Sequence, residues 1–549
     1  MTGAMLAKVA LFEMLRDRGI RYVFGNPGTT ELNFMEMFAD YPDVAYILGL
    51  QDAIPVGMAY GYAQATGAPA FVNLHITPGV ANGLGNIFNA YKAKTPLVVT
   101  AGQVDRRMML QEPTLWSDLV RLASPFTKWA YEVRTGADIP LALARAFKIA
   151  AAPPAGPVFL SFPMDCLDEE AGGPAPWTEI ADGGSPAPAV LDRVADALAG
   201  SRAPILIAGP GAATPAARTA LVQIAEATGA RVYGERLPVR SVFPTDHPQY
   251  VGMLLSLSQL RAELGGADVV LIAGARKFAS LLYTPAVQLP PRMTVIHLDT
   301  DPWEIGKNIP VTLGIVGDLA AILPAIAARL ADRMTPERRQ AAAARAAEVR
   351  RERGRREEEW RAAASPPAPG GRMTQEFVYR TLGEMIDDTV TVVDEAITAA
   401  RIVDRYLPFH TEQAYLGLAA GSLGLGLPAS LGAQMAWPDR RVIATIGDGS
   451  LMYAVQALWT AARYRIPVTV LVMDNRAYQV LKDGMATYKG GAVPRERLVG
   501  MDLDAPVVDI PGVAQGFGVP ARLITRPDEL RDALAERSSG PRLLDVVIE

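Results

Sequence analysis

Asp448 and Asn475 each close an apolar run. Residues 441 to 475 read RVIATIGDGSLMYAVQALWTAARYRIPVTVLVMDN. This pattern predicts a strand, a turn, a helix and a second strand. Such a unit puts Asp448 and Asn475 at the carboxyl ends of two parallel strands, the edge where open α/β sheets bind ligands. A carboxylate and an amide oxygen are hard ligands suited to Mg²⁺. Gly447 and Gly449 let backbone approach a phosphate, and the helix start adds a favourable dipole. The plainer alternative is a structural βαβ connection, because Gly-Asp-Gly alone is a common turn.

Other residues could also do chemistry. Residues 21 to 32, RYVFGNPGTTEL, place a Gly-Asn-Pro-Gly turn after a strand. Thr29 and Thr30 are helix-capping types and Glu31 sits in the first turn. For Thr30 and Glu31, capping is the favoured reading. His75 is one of four histidines and follows a buried strand. An imidazole there could shuttle protons near neutral pH, or it could simply end the strand. AGPGAATPAAR, with Glu235 after the next strand, has the start of a dinucleotide turn but lacks its third glycine, a weak signal.

The elements that position these residues fall into three blocks. Residues 1–175 alternate helical segments with YVFGNPG, YILGL, PAFVNL and TPLVVTAG, which read as buried parallel strands. AGGPAPWTEIADGGSPAPA reads as a linker. Residues 188–335 form a second α/β block, with strands at ILIAGPG, ARVYGE, DVVLIAG and MTVIHLD. Residues 336–371 are a helix with a solvated charged face, then the Pro-rich SPPAPGG. Residues 372–549 contain the Gly-Asp-Gly unit. The expectation is α/β, with three doubly wound parallel-sheet domains. The outer two blocks show no likeness in sequence.

Composition narrows the function classes. The chain has 549 residues, half of them apolar and a fifth charged, with a net charge of -5. No basic block suggests nucleic acid. The single cysteine, Cys166, excludes an intramolecular disulfide and a cysteine-based zinc site. No stretch suits a bilayer span, and the N-terminus lacks the order of a signal peptide. The expected location is the cytoplasm.

Gly-Asp-Gly followed by Asn475 resembles the thiamine diphosphate (ThDP) motif of the ThDP-dependent decarboxylase and carboligase superfamily. FVNLHITPGVANGLGN, FPTDHPQYVG, HLDTDPWEIGKN and GSLGLGLPASLG extend the likeness over nearly the whole chain. GNPG, the NLH segment, VTAGQ and ALWTAARYRIP resemble benzoylformate decarboxylases most closely. The wider set includes acetolactate synthases, benzaldehyde lyases and 2-hydroxyacyl-CoA lyases.

The resemblance implies a site shared between two chains, with diphosphate and Mg²⁺ on the third domain of one and the aminopyrimidine on the first domain of the other. Asp448, Asn475 and the Ala477 carbonyl match the metal ligands. Thr398 and Ser450 match hydroxyls that reach the diphosphate, although Ile397 replaces a second hydroxyl. Gly447, Gly449 and Tyr478 belong to the same cofactor set. The Gly421 carbonyl would accept from the aminopyrimidine amine. Ser422 lies beside it, and Leu423 would be the wedge that bends the cofactor, where a plain core leucine is the alternative. Asn26, Pro27 and Asn82 would face the cofactor from the first domain. Thr29 matches a serine that holds the substrate carboxylate, and His75 matches an active-site imidazole. Thr114, Leu115, Trp116, Val480, Leu481 and Gly484 match substrate-lining positions.

Two further positions depart from the family pattern. The glutamate that usually bonds the aminopyrimidine ring is Asp52 here, shorter by about 1.5 Å. A misplacement of about 1 Å can cost on the order of a hundredfold in rate. The alternative for Asp52 is a helix-start carboxylate whose role is lost. A second active-site histidine of benzoylformate decarboxylases is Leu281 here, and His247, His297 and His410 lie in segments that look structural. The implied activity is non-oxidative decarboxylation of an apolar or aromatic 2-oxo acid through ylide addition and an enamine. With fewer proton shuttles, a longer-lived enamine could instead attack an aldehyde or acyl acceptor, which makes a carboligase or C–C lyase the alternative. A weakly active or non-catalytic ThDP-binding protein is a further one. The split site requires a homodimer, and the family suggests a homotetramer. No FAD is expected in the middle block.

Overall fold

The computed structural model describes residues 5–178, 180, 184–278, 282–283, 289–290 and 292–549. Three six-stranded parallel sheets organise them. The first holds β1 (Tyr22–Gly25), β2 (Ala45–Leu48), β3 (Ala70–Leu74), β4 (Leu97–Gln103), β5 (Ala130–Glu132) and β6 (Val158–Pro163), in the order β2-β1-β3-β4-β6-β5. The second holds β7 (Pro204–Ala208), β8 (Arg231–Gly234), β9 (Tyr250–Met253), β10 (Val269–Ala273), β11 (Thr294–Asp299) and β12 (Leu313–Val316), in the order β9-β8-β7-β10-β11-β12. The third holds β13 (Val390–Glu395), β14 (Tyr415–Gly417), β15 (Arg441–Gly447), β16 (Thr469–Asp474), β17 (Ala521–Ile524) and β18 (Arg542–Val547), in the order β14-β13-β15-β16-β18-β17. The first and third sheets share one strand order, a kinship their sequences do not show. Side chains on the central strands are buried on both faces, which is why they read as unbroken apolar runs.

The helices that carry or support candidate residues are α1 (Ala53–Thr66), α2 (Ile76–Ala93), α3 (Pro336–Ala363), α4 (Gly426–Ala436), α5 (Asp448–Met452), α6 (Ala457–Arg463) and α7 (Gln479–Lys489). Helix α3 is the predicted charged helix. Most of it is exposed, but Arg353 turns inward and donates to the carbonyls of His247 and Tyr250.

Helices α1 and α4 join the outer domains. A Cβ on Gly61 would lie 2.0 Å from the Ala429 carbonyl oxygen, and one on Gly432 would lie 1.9 Å from that of Met58. Only glycine permits this approach. One apolar cluster therefore runs through both domains and includes Ile54, Val56 and Val80 with Leu427, Leu431 and Leu458. The edge strand β2 is covered in the same way. Tyr464 Oη accepts from Leu48 N–H and donates to the Tyr46 carbonyl, while Thr460 donates to the Leu48 carbonyl. From the middle domain, Arg240 donates to the carbonyls of Gln64 and Glu412.

Gly432→Ala is expected to cost about 3 kcal/mol by forcing α1 and α4 apart. The denaturant midpoint should fall accordingly, and an unchanged midpoint would contradict the contact.

Candidate active site

A cleft opens at the carboxyl ends of β13, β15 and β16. Thr398, Leu423, Gly447, Asp448, Gly449 and Ser450 line it. Asn475, Ala477, Tyr478 and Val480 complete the predicted residues found there. Ile397 also lines it, as do Gln375, Met473 and Ile548, which sequence reasoning did not single out. Every lining residue comes from the third domain.

Asp448 is 8% exposed. Its Oδ1 accepts from Gly449 N–H at 2.8 Å, and its Oδ2 is buried with no partner. Asn475 Oδ1 accepts from Ala477 N–H at 3.0 Å. Burial, followed by the nearby Asp474, raises the Asp448 carboxyl above its ordinary range. Asp545 is pushed up to about 7 by burial and by Asp474 and Asp448. A buried carboxylate oxygen without a partner, beside other negative charge, suits a cation. Among the described residues no group of three or more His, Cys, Asp or Glu side chains could hold a metal, so Asn475 and a backbone carbonyl would have to complete the set. Arg476, between Asn475 and Ala477, takes φ +56°, a strained conformation of the kind found at functional sites. A Cβ on Gly449 would lie 2.4 Å from the Tyr478 ring, so glycine lets that ring cross the start of α5.

Glu395 explains how the neighbouring loop is held. It is 1% exposed and accepts from Gly424 N–H at 2.6 Å and from Gly426 N–H. Burial pushes it up to about 7. It thus fixes the turn beyond Leu423. Gly421 takes φ +80°, which requires glycine, and is exposed. Gly421, Ser422 and Leu481 do not line the cleft.

The first domain gathers a second group at the ends of β1, β3 and β4. His75 precedes α2, and its Nδ1–H donates to Glu31 Oε2 at 2.9 Å. A carboxylate only accepts, so this bond puts the proton on Nδ1 and leaves Nε2 as the basic nitrogen. The bond to Glu31 raises the imidazole pKa above its ordinary value. Glu31 is 1% exposed. It also accepts from Gly28 N–H, Thr30 Oγ1, Ile76 N–H and Gly102 N–H. A Cβ on Gly28 would strike the His75 ring at 2.1 Å, so the Gly-Asn-Pro-Gly turn makes room for the imidazole. Ile76 takes φ +27°, rare for a β-branched residue, immediately after His75.

These contacts correct the expectation for Thr30 and Glu31. Glu31 does cap its turn through Gly28, but it also orients His75. An acidic residue three positions after a turn looks the same in sequence whether it caps or reaches across a domain. The cap residue is Gly28 rather than either threonine.

Asp52 lies at the start of α1 and is 6% exposed. Its Oδ2 accepts from Asn82 Nδ2 at 3.3 Å, and its Oδ1 is buried without a partner. Gly79 makes the space, since a Cβ there would lie 2.7 Å from that oxygen. Asn26 and Pro27 are half-buried beside β1, and Thr29 is exposed. Thr77 on α2 donates to the Leu115 carbonyl at 2.6 Å, which ties the 114–116 segment to the helix that begins after His75. Leu115 and Trp116 pack on the core, and Thr114 is exposed. Leu281 lies outside the described residues. His247 approaches Glu226, His297 is buried in β11, and His410 pairs with Asp246 and Asp388, all away from the cleft.

Three family models match in chain order. Residues 5–119 match "Thiamine pyrophosphate enzyme, N-terminal TPP binding domain". Residues 191–326 match the central domain, and residues 397–546 match the C-terminal TPP binding domain. The chain belongs to the thiamine pyrophosphate enzymes. Among its relatives is a benzoylformate decarboxylase of Pseudomonas aeruginosa, 34% identical, with 98% of each chain covered. Acetolactate synthase isozyme 3 large subunit of Escherichia coli is 28% identical, covering 95% of this chain and 90% of the relative. The fold superposes on the ThDP-dependent 4-hydroxybenzoylformate decarboxylase of Rhodococcus jostii with a TM-score of 0.86 at 29% identity, covering 99% of both chains. Benzoylformate decarboxylase of Polynucleobacter necessarius gives 0.84 at 27% identity, covering 99% of this chain and 98% of the other. ThDP is the cofactor of this family. Among the described residues, three carboxylates keep a buried oxygen without a partner: Asp52 lies in the N-terminal TPP binding domain, and Asp448 and Asp545 lie in the C-terminal one.

Glu31→Gln should lower the titration midpoint of His75, read by NMR. The sign follows from the raised folded pKa. The bond's stabilisation is full below about 6.5 and fades as pH rises through the higher folded value. The variant should therefore lose more stability at pH 6 than at pH 9. An unmoved midpoint would remove Glu31 from the role.

Proposed function

We propose that this chain is a Mg²⁺- and ThDP-dependent non-oxidative decarboxylase of an apolar or aromatic 2-oxo acid. The observation that carries it is the cleft at the ends of β13, β15 and β16, with its unpartnered Asp448 oxygen. The benzoylformate decarboxylase relatives support the substrate class. Asp448, Asn475 and the Ala477 carbonyl would hold Mg²⁺. Thr398 and Ser450 would hold the diphosphate, with Gly447, Gly449 and Tyr478 closing around it. Gly421, Ser422 and Leu423 would meet the aminopyrimidine, with Asn26, Pro27 and Asn82 facing it from the first domain. When bound, ThDP supplies a thiazolium that accepts the electron pair left by departing CO₂.

The chain's own residues do the rest. Asp52 Oδ1 offers a desolvated acceptor for the aminopyrimidine ring. His75, fixed through Nδ1 by Glu31, can give or take a proton at Nε2. Thr29 can donate to the substrate carboxylate. Thr114, Leu115, Val480 and Leu481 would bound an apolar pocket. By the family resemblance, Leu281, which cannot carry a proton, matches the second active-site histidine of benzoylformate decarboxylases. That substitution, with the acetolactate synthase relatives, favours carboligation or C–C lyase chemistry as the second reading.

The same reading divides the chain at 1–175, 188–335, 336–371 and 372–549, which the ranges of the three sheets support. It takes the middle domain to bind no FAD. In support, AGPGAATPAAR at the end of β7 lacks the third glycine of the dinucleotide fingerprint. It requires a homodimer, and the family suggests a homotetramer. Leu50 and Leu110, 44% and 96% exposed, lie on the first domain, and Leu481 and Tyr488, 50% and 69% exposed, lie on α7. Helix α7 buries no residue within one chain, so both faces suit a second copy. A cytoplasmic location belongs to this reading, supported by the single buried thiol.

Incubation with benzoylformate and an aldehyde acceptor separates the two chemistries. Aldehyde and CO₂ as sole products support decarboxylation, and a 2-hydroxy ketone supports carboligation. Asp52→Ala should slow exchange of the C2 proton of bound ThDP by about a hundredfold, measured by quenched-flow NMR. An unchanged rate would mean that Asp52 is not engaged.

A further inference from the structure

Three asparagines, Asn82, Asn86 and Asn89, share one face of α2 at helical spacing. Asn86 and Asn89 are 1% and 0% exposed. Asn82 Nδ2 donates to Asp52 Oδ2 at 3.3 Å. Asn86 Nδ2 donates to the Ala53 carbonyl at 2.8 Å and to the Gly424 carbonyl at 3.3 Å. Asn89 Nδ2 donates to Asn86 Oδ1 at 3.1 Å and to the Ser422 carbonyl at 2.8 Å. One helix face therefore grips both the start of α1 and the turn that carries Gly421 and Leu423.

Packing alone does not call for these side chains. Burying an amide is costly unless it is bonded, and an apolar residue of similar size would fill the space without that cost. Asn89 Oδ1 is buried without a partner, so the cost is not fully offset. What the amides add is direction: each Nδ2 is aimed at a carbonyl or carboxylate outside its own helix. Gly85, on the same stretch, clears the way, because a Cβ there would lie 2.6 Å from Ser422 Oγ. The N–H groups of the turn are already held by Glu395 from β13. Its carbonyls are held by α2.

We propose that Asn86 and Asn89 are positioning residues that hold the 421–424 turn of the third domain against α2 of the same chain's first domain. The consequence for catalysis rests on the reading of Gly421 and Leu423 as cofactor-facing, with Asp52 of the same chain serving the dimer's other cofactor, but the grip on the turn does not.

Two measurements test the two parts. In the cofactor-free protein, Asn89→Ala should speed amide hydrogen exchange over 422–426 by about tenfold, the loss of one buried hydrogen bond. Protection equal to wild type would overturn the proposal whether or not ThDP is the cofactor. Asn86→Ala carries the same expectation and decides the matter if Asn89→Ala does not fold. With ThDP and Mg²⁺ added, Asn89→Ala should keep the dissociation constant within about twofold while C2-proton exchange of the bound cofactor slows by roughly tenfold, about 1.4 kcal/mol. Weaker binding with unchanged C2 exchange would overturn the link between the turn and cofactor activation. Failure of the wild type to bind ThDP would sink the functional reading alone.

Discussion

Backbone pressed on backbone, where α1 crosses α4, is the constraint on which the candidate site depends. The two helices meet through Gly61 and Gly432 at a distance no side chain tolerates. Helix α1 begins at Asp52, and α4 follows directly on the turn that carries Gly421 and Leu423. Rigid interiors transmit small displacements rather than absorbing them. A shift at the crossing would therefore move both the buried Asp52 carboxylate and the 421–424 turn.

Buried carboxylates divide into two kinds. Glu31 and Glu395 spend their oxygens on protein donors, five for Glu31 and two backbone amides for Glu395. They shape turns and orient a ring. Asp52 and Asp448 each keep one buried oxygen without a protein partner. Asp545 Oδ1 is a third such oxygen, and the charge of Asp448 acts on it. An unmet acceptor in a dry interior is costly, which is why these carboxylates stand apart from Glu31 and Glu395.

Much of this was legible in the chain. Asp448 and Asn475 announce themselves because each ends an apolar run, Asp448 between two glycines. The Gly-Asn-Pro-Gly turn is as plain, and its second glycine makes room for His75. The common strand order of the outer sheets was not legible, since parallel strands buried on both faces read alike in any order. Glu31 looked like a cap because local spacing cannot show a partner 44 residues away. Glu395 was hidden at the end of a strand by its apolar neighbours, and Asn86 and Asn89 were hidden because the Gly424 and Ser422 carbonyls they hold lie on another domain.

The covering of β2 by Tyr464 and Thr460 has a consequence in time. An uncovered sheet edge offers free amides and carbonyls to any passing strand and invites aggregation. Here the cover comes from a residue 416 positions later in the chain. At about 5–20 residues per second, synthesis leaves that edge bare for roughly 20–80 s. Through that interval the first domain exists with its β2 edge not yet closed by Tyr464 and Thr460, so the fold of the amino-terminal sheet is completed only after most of the chain has been made.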